Sequence, residues 1–132
     1  MISVILPVYI SEPWTVILTE FAIKMLRACT NVPFQLIISE VGGEQLKSLA
    51  DMHLRTEGLG QFYRDVNQAI DRAGADFIVV TGNDIIVQPG WLEALIKPFN
   101  VLPDCGLTSL AAVEGTGAAI GPHRPMELIV ET

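Results

Sequence analysis

Three stretches of this chain, residues 3–9, 34–39 and 76–81, are apolar almost without interruption and rich in β-branched or aromatic residues. A strand with one wet face alternates apolar and polar side chains, whereas an unbroken run marks a strand covered on both faces, as the strands of a parallel sheet are. Segments of helical period lie between these runs. Trp14, Leu18, Phe21 and Met25 recur at helical spacing behind the start residues Ser11 and Pro13, which predicts an amphipathic helix ending near Thr30. Phe62, Val66, Ala69, Ile70 and Ala73 make a second stripe, with Gly74 placed to stop it. Trp91, Leu92, Leu95, Ile96 and Phe99 make a third, opened by Pro89 and Gly90 and closed by Pro103. Residues 44–52 read as a short helix with Leu46 and Leu49 facing inward, residues 53–56 as a brief strand, and residues 106–113 as a last strand.

Strands alternating with helices of this length specify an α/β fold. The expected architecture is three layers, α/β/α, around a mostly parallel, Rossmann-like sheet with right-handed crossovers. A length of 132 residues, half of them hydrophobic, suits one domain with one core, and no linker, repeat or low-complexity tract divides it, so residues 1–132 read as a single domain. Ligands of such sheets bind outside the carboxyl ends of the strands. Residues 7–10, 39–43 and 81–85 are therefore expected to converge on one crevice.

The formal charge of −7 argues against a partner that tracks a phosphate backbone, so no nucleic acid is expected. An anionic ligand would have to be met by a metal or by backbone amides. The mean hydropathy is positive, yet every apolar run is broken well before the roughly 20 residues of a spanning helix, so no transmembrane segment is expected. No Lys or Arg precedes the first apolar run and no small-residue cleavage site follows it, which makes a cytoplasmic location the expectation. Cys29 and Cys105 lack the spacing of a zinc or redox pair and read as free thiols. The Gly-rich segment 115–121 is followed by Pro122 and Pro125, which forbid the helix a dinucleotide loop needs; it reads as a loop, with His123 and Arg124 exposed on it.

The strongest local signal runs from Val79 to Leu92. A buried strand delivers Asn83 and Asp84 to its tip, and Pro89-Gly90-Trp91-Leu92 then starts a helix. This pattern resembles the inverting family-two glycosyltransferases of GT-A fold, which carry an apolar strand, an Asp-x-Asp or Asn-Asn-Asp motif, and a Pro-Gly-Trp-Leu-like helix start. Three further segments resemble the same family in the same order over residues 2–95: Ile2 to Tyr9 as the first strand, Phe34 to Gly43 as the second with Glu40 at its tip, and Gly58 to Ile70 as the Gly-rich turn and Asn-x-Gly-Ile helix. Gly82 stands where the family has its first Asp or Asn, Ile10 replaces Asn, Glu40 replaces Asp, Ala69 replaces Gly, and Val66 replaces an Arg for which Arg64 is a nearby stand-in.

The resemblance implies a truncated GT-A domain that binds a nucleotide-diphosphate sugar and transfers the sugar to an acceptor hydroxyl with inversion. It implies nucleotide contacts from Pro7, Tyr9, Glu40 and Asn83, and a Mg²⁺ or Mn²⁺ ion at Asp84 bridging the diphosphate. The chemistry is coherent: the departing diphosphate gains negative charge, and a hard cation held by one or two carboxylates with phosphate and water offsets it. Inversion also needs a general base. Glu114, His123 and Glu127 are the later candidates, and none is assigned, nor is the acceptor. Two other readings stand beside transfer: a nucleotide-sugar-binding module without turnover, and an α/β interaction domain that has lost its ligand, for which Gly82 and Ile10 speak. A chain this short can also dimerise to cover what a longer homologue covers itself. Taken singly, Asp84 is a turn residue, Glu40 a solvated strand-end carboxylate, and Trp91 a core aromatic.

Overall fold

Strand β1 (Ile2–Tyr9) is buried on both faces along most of its length, as its unbroken apolar run requires. In this computed structural model, which describes residues 1–110 and the backbone of 128–131, β1 sits inside a four-stranded sheet. Its parallel partners are β2 (Gln35–Val41) on one side and β4 (Phe77–Val80) on the other, while β3 (Met52–Thr56) pairs parallel with the outer side of β2. The order is β3-β2-β1-β4. The chain thus adds strands in one direction to β3, then crosses back to the far side of β1.

That reversal fixes where the helices go. Right-handed crossovers in opposite directions place α1 (Pro13–Ala28) and α2 (Phe62–Ala73) on opposite faces of the sheet. On the α2 side, Ala69 packs with Ile5 and Ile37, surrounded by Met52, Leu54, Ala73 and Ile78. Val4, Leu6, Leu36 and Ile38 point the other way and are fully buried. Each fully buried Leu or Ile contributes roughly 1.5–3 kcal/mol, so this core needs no disulfide, and both cysteines are free thiols. The expected α/β, mostly parallel, Rossmann-like architecture is observed.

The chain divides into two compact units, Met1–Val87 and Gln88–Thr132. The second contains α3 (Trp91–Val101), entered from a left-handed Gly90, and an antiparallel pair of β5 (Leu107–Leu110) and β6 (Leu128–Glu131). Trp91 and Leu92 are buried there as expected, and the Thr108 hydroxyl donates to the Leu95 carbonyl at 2.8 Å, tying β5 to α3. Of the last expected strand, residues 107–110 form β5, and residues 111–113 lie outside the described residues. So do segment 115–121, Glu114, His123, Arg124 and Glu127. Among the described residues no helix is long and apolar enough to cross a membrane.

Four elements differ from expectation: in α2 the stripe residues Phe62 and Ile70 are exposed, β4 is an edge strand only partly buried, and α1 and the segment after β2 depart as follows. Helix α1 buries Thr15, Thr19, Ala22, Ile23 and Leu26, while Trp14 and Phe21 from the expected stripe are 56% and 50% exposed. The helix is apolar nearly all round, so apolar spacing alone does not choose its inner face. The smaller residues face inward because the hydroxyls among them are satisfied: Thr19 donates to the Thr15 carbonyl at 2.7 Å and accepts from Asn83 at 3.3 Å. The helix expected over residues 44–52 is a single 3-10 turn, Lys47–Leu49, with Leu46 buried just ahead of it. Glu40 fixes this turn by accepting the backbone amides of Gln45 and Leu46.

Candidate functional site

Parallel register decides which side chains meet at the carboxyl end of the sheet. Pro7 lies opposite Ser39 and Tyr9 opposite Val41, so these four share one face, and Val8 and Glu40 share the other. The first group lines a cleft of about 180 Å³ whose far wall is the loop from Gly58 to Gln61 and the first turn of α2, Phe62 to Asp65. The volume falls below the roughly 300 Å³ at which drug-sized pockets begin, so it suits one ring-sized group.

The loop owes its shape to Gly58 and Gly60, both left-handed at φ 81° and 82°, a conformation that costs other residues far more. Arg64 fastens it, donating to the Glu57 carbonyl at 2.9 Å and to Asp65 Oδ1 at 3.2 Å. No side chain caps the start of α2.

Most of the cleft is apolar, from Pro7, Tyr9, Val41, Leu59 and Phe62, and two buried polar groups interrupt it. Asp65 is 3% exposed; Arg64 occupies its Oδ1. Ser39 is 1% exposed, and its hydroxyl has no hydrogen-bond partner among the described residues. A buried hydroxyl without a partner costs about 1–3 kcal/mol, so such groups are rare unless something else uses them. Ser39→Ala is accordingly expected to stabilise the protein by about 1 kcal/mol, seen as a higher urea midpoint at unchanged slope. A lower midpoint would mean the hydroxyl already has a partner.

The other residues singled out from the sequence lie elsewhere around this end of the sheet. Glu40 is fully buried on the opposite face. Its Oε1 accepts from the Leu46 amide and from His53 Nε2, both at 3.0 Å, and its Oε2 accepts from the Gln45 amide at 3.0 Å. With three donors engaged, the carboxylate organises the turn after β2. Asn83 spends its amide on Thr19, which pins the turn after β4 to α1. Asp84 is exposed in that turn, which the Ile85 amide closes onto the Gly82 carbonyl at 3.3 Å. A Cβ at Gly82 would come within 3.1 Å of Asp84 Oδ1, so glycine at 82 leaves the Asp84 carboxylate its position. Pairing of β4 with β1 runs to Val80 and Ile5, and the Thr81 amide extends it to the Ile5 carbonyl, so the chain leaves the sheet toward the Asp84 turn beside the middle of β1.

Pro7 and Tyr9 are thus brought together in the cleft, and Glu40, Asn83 and Asp84 are not part of its lining. Sequence reasoning placed residue 39 at the crevice without singling out its side chain, and it missed Asp65. Asp65 had a signal: it falls three residues after Phe62 and four before Ala69, a charge set within the apolar stripe of α2. Ser39 had a weaker one, as a polar residue inside the apolar strand, on the face it shares with Gln35, Ile37 and Val41.

Among the described residues no three His, Cys, Asp or Glu side chains gather as a metal-holding group. A lone exposed carboxylate fits a hard cation only where phosphate and water complete the shell, and Asp84 meets that description. No protein-family model matches the chain, and no curated protein matches it either.

Proposed function

We propose that this protein binds a nucleotide-diphosphate sugar in the manner of a GT-A glycosyltransferase, with the nucleoside in the cleft under Tyr9 and the diphosphate directed toward the turn after β4. The observation that carries the reading is the cleft itself: a ring-sized, mostly apolar recess at the carboxyl ends of β1 and β2, lined by Pro7, Tyr9 and Phe62. It lies at the carboxyl ends of β1 and β2, and ligands of open α/β sheets bind outside the carboxyl ends of the strands. Its placement also agrees with the resemblance of residues 2–95 to family-two enzymes.

In this reading Pro7 and Tyr9 contact the nucleoside, Arg64 holds the wall of the cleft, and Asn83 positions the turn that carries Asp84. Asp84 holds Mg²⁺ or Mn²⁺ jointly with the diphosphate. When bound, the ion offsets the charge that develops on the leaving diphosphate. Glu40 supports the turn after β2 and gives the ligand no free oxygen. The reaction proposed is transfer of the sugar to an acceptor hydroxyl with inversion, in a cytoplasmic protein that can dimerise to complete the acceptor side.

Calorimetric titration with uridine, guanosine and thymidine diphosphates, with and without Mn²⁺, tests this. One of them is expected to bind about tenfold or more tightly with Mn²⁺, and Asp84→Ala is expected to remove that gain while leaving metal-free binding unchanged. Binding with no transfer or hydrolysis of a labelled donor sugar would identify a binding module. No binding of any nucleotide would leave an α/β interaction domain.

A further inference from the structure

Helix α1 carries two apolar faces. Thr15, Thr19, Ala22, Ile23 and Leu26 are buried, and helical spacing then sets Trp14, Ile17 and Phe21 on the opposite side, where they are 56%, 70% and 50% exposed. Half-buried Leu18 and Met25 border this row, and exposed Ala28 continues it. Trp14, Ile17 and Phe21 alone leave on the order of 400 Å² open, as much as the largest apolar patch of a typical monomer, and patches of that size are often functional. A helix that is apolar all round is ordinarily covered on both sides. The charges along the outer face are ordered. Its acids, Glu12 and Glu20, precede its exposed base, Lys24, while Arg27 is engaged by Asp51 and Glu12 accepts from the indole N–H of Trp14.

We infer that the outer face of α1 is where two copies of this chain associate, as an antiparallel helix pair related by a two-fold axis. A two-fold interface uses the same patch on both copies, so the patch must complement itself. This one does so only when the second copy is reversed. Because both acids precede the base along the helix, reversal sets Lys24 against a carboxylate of the second copy, whereas a parallel pair would stack Lys24 on Lys24. The apolar row meets itself in the same arrangement. A lipid surface is the poorer match, since a chain of net charge −7 is repelled by anionic headgroups. With Leu18, Met25, Ala28 and the Lys24 stem included, two copies bury roughly 1,200 Å², the lower edge of specific interfaces. The dimer is therefore weak and dissociates on dilution.

Association through α1 does not depend on a nucleotide in the cleft, so it is measured on the chain alone. Sedimentation equilibrium from micromolar to near-millimolar protein is expected to show a monomer–dimer equilibrium. Ile17→Lys, at the most exposed position of the row, is expected to weaken the dimer about tenfold or more, because the interface would then bury an unpaired charge. Lys24→Glu is expected to weaken it severalfold, since it leaves only carboxylates on the facing surfaces. Circular dichroism checks that both variants fold; if Ile17→Lys does not, Lys24→Glu decides. A native chain that is monomeric at every concentration overturns the inference, and so does a dimer that Ile17→Lys leaves intact. A dimer that Lys24→Glu leaves unchanged or strengthens overturns the antiparallel arrangement. A monomer that co-sediments with phosphatidylcholine vesicles, and no longer does so as Ile17→Lys, overturns the inference by assigning the face to a lipid surface.

Discussion

Glu40→Ala is expected to destabilise the protein by about 3 kcal/mol or more, the largest loss of any single substitution near the cleft. The Glu40 side chain is fully buried and gathers three donors, the amides of Gln45 and Leu46 and the Nε2 of His53, whose side chain is 4% exposed. Alanine leaves all three in a site that water does not reach easily. Glu40→Gln retains one acceptor oxygen, which can stay on Leu46 and His53, but turns an N–H₂ toward the Gln45 amide; a loss of about 1–2 kcal/mol follows. Chemical denaturation of the two variants gives both numbers. Glu40→Gln also separates structure from recognition. Since the carboxylate lies on the face away from Pro7 and Tyr9, the folded glutamine variant should bind a nucleoside diphosphate as tightly as the native protein.

Gly43→Ala is the second substitution with a large expected effect, about 1–3 kcal/mol of lost stability. Its backbone is not in the left-handed region, so the cost is not conformational. A Cβ at this position would stand 2.9 Å from Glu40 Oε2, closer than such atoms approach. An exposed carboxylate would swing aside. This one is held by its three donors, so relief means breaking a hydrogen bond or moving the turn. The two substitutions act on one cluster and should not add: in a double-mutant cycle, Gly43→Ala is expected to cost little once Glu40 is alanine. Full additivity would show that the carboxylate does not impose the constraint at Gly43.

The parallel sheet was legible because burial on both faces leaves an unmistakable trace. Residues 2–9 and 35–41 have no regular polar alternation and are buried on both faces, whereas the equally apolar 77–80 forms an edge strand that is only partly covered. The end of α2 was legible for an equally local reason, since Gly74 adopts the left-handed conformation that stops helices. The inner face of α1 was not. Its apolar residues cover most of the helix, and the choice of Thr15 and Thr19 over Trp14 and Phe21 depends on a hydrogen bond from Asn83, a residue 64 positions from Thr19. The turn after β2 was misread as a helix because the three-residue spacing of Leu46 and Leu49 suits a single 3-10 turn as well as a longer helix.

The candidate site divides in the same way. Pro7 and Tyr9 could be placed from the rule that ligands gather at strand ends, and both line the cleft. Glu40 and Ser39 are adjacent in sequence, yet a strand sends them to opposite faces, and only the register of β2 against β1 shows that Ser39 shares the face of Pro7. Strand-end position alone does not separate neighbours. Asp65 depends on the helix stripe of α2 meeting that same face, a tertiary fact.

The central claim is that the cleft under Tyr9 holds the nucleoside. Chemical-shift mapping on ¹⁵N-labelled protein, titrated with the nucleoside diphosphate that binds most tightly, tests it most directly. The account predicts the largest shifts at the amides of Ser39, Gly58, Gly60 and Phe62. Shifts absent from these residues, or confined to the Gln88–Thr132 unit, would contradict it.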